Sequence, residues 1–105
     1  MKLNIMDRIT LLGLLPTSDV KFSVLKTVSE LRNSLLPSGN EVEEYGITET
    51  DGQVRWNQKG NEPVEIVISK LGTSLIVEEL KKIDESEKGR IELLPVWEKF
   101  ITEAS

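Results

Sequence analysis

The sequence contains no cysteine and no histidine. The first absence removes disulfides and thiolate chemistry. The second removes the commonest general base, metal ligand and pH switch. Together they point away from an enzyme, although carboxylates, lysine, serine and tyrosine remain available for chemistry. No apolar run is long enough for a bilayer. The stretch from Ile9 to Leu15 stops at Pro16 and lacks a small-residue cleavage site, so it reads as a buried helix rather than a leader peptide. No N-x-[ST] sequon is present either. A cytoplasmic chain that neither crosses nor anchors in a membrane is the expectation.

Basic clusters are also missing. The net charge is −5, with a small positive surplus before Gly39 and the strongest acidity between Asn40 and Ser69. Such a chain is repelled by phosphate backbones, so nucleic acid is not an expected partner. Lys21, Lys26 and Arg32 form the one region where a nucleic-acid-associated regulator would make contact. At 105 residues, 38% hydrophobic and 30% charged, the chain is too apolar for disorder and sized for one modest core. A single domain over residues 1–105 is expected.

What is present reads as an α+β arrangement: two N-terminal helices and a short helical turn, a small antiparallel three-stranded sheet, then two C-terminal helices. From Leu3 to Leu15 the apolar positions have helical spacing but a wide face, so this helix must be buried on more than one side. Leu11, Leu12, Leu14 and Leu15 cannot all face one small core, and an exposed remainder would need a partner. In the second helix, capped by Thr17 or Ser18, Val24, Val28, Leu31 and Leu35 make the stripe, ended by Pro37-Ser38-Gly39. Asn40 caps a short turn through Tyr45.

The period then changes. Asp51-Gly52 between Ile47–Thr50 and Gln53–Asn57 predicts a hairpin with a type I′ turn, Glu49 opposite Val54. Val64 to Ile68 is expected as the third strand. Ser69 should cap a helix from Lys70 to Ile83 with Leu71, Leu75, Ile76, Leu80 and Ile83 buried, and Gly72 weakening its start. The last helix, Glu92 to Thr102, buries Leu93, Trp97, Phe100 and Ile101, with Pro95 tolerated in its first turn.

Three groups carry candidate chemistry. Asp84, Ser86 and Gly89 match positions of a calcium loop, but Lys88 and Pro95 occupy places that need oxygen ligands, so no metal is expected and Gly89 is assigned to a positive-φ turn. Glu41, Glu43 and Glu44, with Tyr45 beside them, form an acidic patch near Glu49 and Asp51. Solvated, it would dock a basic partner; set in a cleft, it would serve a ligand site or carboxylate chemistry. Trp56 and Trp97 lie at apolar-face positions and read as core. No cofactor-binding motif appears.

The opening MKLNIMDRITLLGLLP, the amphipathic helix after it and the hairpin segment GQVRWN resemble small proteins of bacterial genomes and their phages. The resemblance covers the first half to two thirds of the chain. It implies a phage or mobile-element origin and brings no activity or site residues with it. The resulting expectation is a non-catalytic interaction or assembly module, whose partner is another protein or a second copy of itself.

Overall fold

The computed structural model describes residues 1–102. Strand β1 (Lys2–Leu3) leads into α1 (Ile5–Leu14), followed by α2 (Phe22–Leu35) and α3 (Gly39–Glu44). Strands β2 (Thr48–Thr50) and β3 (Gln53–Arg55) form a hairpin. A 3-10 turn over Gln58–Asn61 precedes β4 (Val64–Glu65), and α4 is Lys70–Glu85. The C-terminal segment joins a 3-10 turn at Ile91–Leu93, α5 (Leu94–Trp97) and a π-helical turn at Glu98–Thr102.

The core lies among α1, α2, α4 and the C-terminal segment. Leu11 and Leu15 meet Val28, Leu31 and Leu35 of α2, Leu75, Ile76 and Leu80 of α4, and Val96 and Phe100. Helix α1 packs on all three partners, which explains its wide apolar face. Its start is fixed by a capping box: the Asp7 amide donates to Asn4 Oδ1 at 2.8 Å, and the Asn4 amide donates to Asp7 Oδ2 at 3.2 Å. Leu3 is therefore not helical; it belongs to β1.

The expected three-stranded sheet is two separate antiparallel pairs. The hairpin has the anticipated register, with Glu49 opposite Val54. Asp51 and Gly52 adopt φ of 52° and 75°, as a type I′ turn requires. The last strand pairs instead with the chain start, Leu3 opposite Val64. The cause is the 3-10 turn. Asn57 Oδ1 accepts from the Lys59 amide at 2.9 Å, and the Trp56 indole donates to Asn61 Oδ1 at 2.9 Å. This turn carries the chain away from β3 and over α1. A Cβ at Gly60 would lie 2.6 Å from Trp56 Cδ1, so only glycine fits beneath that ring.

Other boundaries move for local reasons. Helix α2 begins at Phe22 without a side-chain cap, and Asp19 has φ of 61°, outside any helix. Ser38, rather than Asn40, caps α3, with Glu41 completing a capping box. Ser69 caps α4 as expected. Gly72 is buried, however, and allows α2 to approach; a Cβ there would sit 2.7 Å from Leu31 Cδ2. Leu71 leaves the stripe and is exposed. After α4 the left-handed residue is Glu87, with φ of 58°, and Gly89 is not among the positive-φ residues.

Candidate functional site

Residues Asp7 and Arg8 are both buried in α1, an unusual place for charge in a small core. Arg8 Nε donates to the Leu35 carbonyl at 2.8 Å. Its Nη1 and Nη2 donate to the two Glu41 carboxylate oxygens at 2.7 and 3.2 Å, a bidentate pair. Lys99 Nζ donates to Asp7 Oδ2 at 2.8 Å and to the Lys2 carbonyl at 2.9 Å. No buried side-chain polar atom among the described residues lacks a hydrogen-bond partner. This cluster is closed upon itself and ties α1 to α2, α3, β1 and the C-terminal segment.

The acidic patch therefore divides. Glu41 belongs to the Arg8 cluster. The hydrogen bond from Arg8 is the main reason that its carboxyl titrates at about 2, below the ordinary 4.5; the Ser38 amide adds to the effect and partial burial opposes it. A general acid needs the opposite shift. Glu43 and Glu44 are exposed, as are Glu49 and Asp51 on the hairpin. Tyr45 is buried, and that burial, together with the charges of Glu44 and Glu41, pushes its phenol up from 10.0.

The leucines of α1 divide too. Leu11 and Leu15 are core, while Leu12 and Leu14 are half-buried and pack against it. No four-leucine patch reaches solvent. Exposed apolar side chains are spread over several places, Phe22, Val67 and Leu71 among them; Met6, Ile91 and Leu94 are those near α1 and the C-terminal segment.

Two clefts meet at this surface. One, of about 200 Å³, is walled by Leu80, Ile83 and Asp84 of α4, by Gly89 and Arg90, and by Leu93, Leu94 and Trp97. The other, of about 300 Å³, runs along α1 past Met6, Ile9, Thr10, Gly13 and Leu14 to Arg90, Glu92 and Leu93. Arg90 and Leu93 are common to both. The calcium-like segment thus supplies a wall to an apolar cleft. Asp84 remains in the last turn of α4, and Ser86 is its C-terminal cap, donating to the Ile83 carbonyl at 3.0 Å. Among the described residues no group of three or more acidic side chains is placed to hold a metal.

A signal for this face did exist. Leu93 and Leu94 are adjacent just before Pro95, and successive residues of a helical turn point about 100° apart, so the two need not share one face. Leu93 is buried and Leu94 faces out, with Ile91 beside it at the start of the turn. Lys21, just before α2, and Lys26 and Arg32 within it are exposed and line neither cleft. Among the described residues no helix is long and apolar enough to cross a membrane. Comparison with known proteins finds no family model, no curated protein and no solved structure that matches this chain.

Proposed function

We propose that this protein is a non-catalytic interaction module that docks another protein chain on the face shared by α1 and the Ile91–Trp97 segment. One observation carries the reading: Met6 and Leu94, 51% and 45% exposed, line two clefts that share Arg90 and Leu93, and Ile91, 78% exposed, follows Arg90 in the chain. A contiguous apolar face with a charged rim is the usual anatomy of a docking surface. The other prominent cluster, around Arg8, has its hydrogen bonds filled from within the chain. The resemblance to phage-type proteins supports an accessory or assembly role in a mobile element, and the absence of cysteine and sequons supports a cytoplasmic setting.

The test is a paired purification from the native cell. Tagged wild type is expected to retain a stoichiometric protein that the double variant Ile91→Asp, Leu94→Asp loses while keeping its circular dichroism and unfolding midpoint. Equal recovery by both proteins would refute docking at this face.

A further inference from the structure

We infer that residues 38–62 form a strap that detaches and melts as one unit while the rest of the chain stays folded, latched by Glu41 on Arg8. The strap comprises α3, the β2–β3 hairpin and the 3-10 turn, and it lies between Pro37 and Pro63. It contributes nothing to the main core. That core draws on β1, α1, α2, α4 and the C-terminal segment. Neither its buried members nor the half-buried side chains packed on it come from residues 36–65. Tyr45 is buried in the strap but stands outside that cluster.

The strap is tied together within itself. The Asn57 amide donates to the Tyr45 carbonyl at 2.7 Å, and Asn57 Nδ2 donates to the Glu44 carbonyl at 3.0 Å, so the end of the hairpin is joined to α3. The Ile47 amide donates to the Val42 carbonyl at 3.0 Å. Among the described residues, the hydrogen bonds that join the strap to the body are those of the bidentate Arg8–Glu41 pair. Apolar contact adds Gly60, which is buried beside the Trp56 ring and Ile5. Both roots are held on the body side: Arg8 Nε donates to the Leu35 carbonyl, and β4 pairs with β1 just beyond Pro63. Away from the body, a six-residue helix and a two-stranded hairpin are marginal on their own. Detachment and melting are therefore one event, and the core has no need to open with it. Closed, the strap covers the Arg8 guanidinium; open, it presents that fork to solvent.

The experiment is native-state hydrogen exchange of the full chain, read by NMR. The strap is followed at the amides of Tyr45, Ile47 and Asn57, and the body at those of Ile76 and Leu80 in α4. In wild type the strap amides should exchange faster than those of α4. Their rates should also rise less steeply with urea, because opening the strap exposes less surface than unfolding the chain. Gly72→Ala crowds Leu31 within the body. It should speed α4 exchange about tenfold and leave the strap amides at wild-type rates, since the crowding persists when the strap opens. Glu41→Gln removes the charge from the latch and should speed the strap amides about tenfold. The α4 amides should rise with them, because the unfolded chain has lost the pair too.

Wild-type strap amides that match those of α4 in both rate and urea dependence overturn the inference, because the chain then opens only as a whole. So do strap amides that accelerate together with α4 in Gly72→Ala. Strap exchange that ignores Glu41→Gln overturns the latch. The wild-type urea series needs no substitution, so it decides the matter even where a variant folds poorly.

Discussion

The two flanks of α1 differ in how they end. On one, Asp7 and Arg8 lie deep in the chain, and each finds a partner of opposite charge from a distant segment, Lys99 and Glu41 respectively. On the other, Met6, Ile9 and Leu14 border a cleft whose far wall is Arg90, Glu92 and Leu93, and the apolar surface runs out to solvent. Charge is inside and satisfied; hydrophobic surface is outside and uncovered. The closed flank ties α1 to distant segments, and the open flank is where the proposed docking would take place.

The closed flank should break most dramatically. Arg8→Ala leaves the Glu41 carboxylate with the Ser38 amide alone and takes the side-chain donor from the Leu35 carbonyl; because Glu41 is partly exposed, the cost is that of lost charge-assisted hydrogen bonds, about 1.5–3 kcal/mol. Urea unfolding should show a loss of this order. The same variant tests the acid response. Glu41 titrates at about 2 in the folded chain against an ordinary 4.5. A depressed folded value contributes stability that is fully present above the unfolded value and is lost as pH falls through the folded one. Wild type should therefore lose stability between about pH 4.5 and pH 2, and Arg8→Ala should flatten that limb. An unchanged acid limb in the variant would mean that other carboxylates control it.

Two glycines sharpen the contrast at smaller amplitude. Gly72→Ala forces a Cβ against Leu31 Cδ2 at 2.7 Å and Ile68 Cγ2 at 3.2 Å. Leu31 is itself packed in the core, so relief requires shifting its neighbours, at a cost of about 1–3 kcal/mol. Gly13→Ala, on the open flank, meets no atom within 4 Å. It should stabilise the chain by about 0.5–1 kcal/mol through helix propensity. Thermal unfolding midpoints moving in opposite directions would bear out the difference, while a destabilising Gly13→Ala would show that the α1 cleft is tighter than its geometry implies.

The sequence disclosed what local chemistry fixes. Asp51-Gly52 set the hairpin register, Ser69 set the start of α4, and Val28, Leu31 and Leu35 set the buried side of α2. What escaped depends on contacts between distant segments. Strands β1 and β4 are two residues each, too short for any periodicity, and they pair across most of the chain. The Arg8–Glu41 pair spans 33 positions, so Glu41 read as one more surface acid. Gly72 looked like a helix defect because the helix that needs its missing side chain lies elsewhere in the sequence. For the candidate face, the apolar residues were visible but their direction was not. Leu93 and Leu94 are equivalent by composition, and only the geometry of the turn at Ile91–Leu93 sends one inward and the other out.

The smallest expected effect on stability discriminates best between a docking face and an incidental greasy surface. Ile91 is 78% exposed, so replacing it removes little buried area. It is the first residue of a three-residue 3-10 turn. Ile91→Asp should accordingly change unfolding free energy by no more than about 0.5 kcal/mol. Association should respond very differently, because a carboxylate there would have to be desolvated at the proposed docking face. A protein that unfolds like wild type yet no longer associates would place Ile91 in the contact. If association survived while stability fell, Ile91 would be working for the fold, and the open flank would be as closed as the one around Arg8.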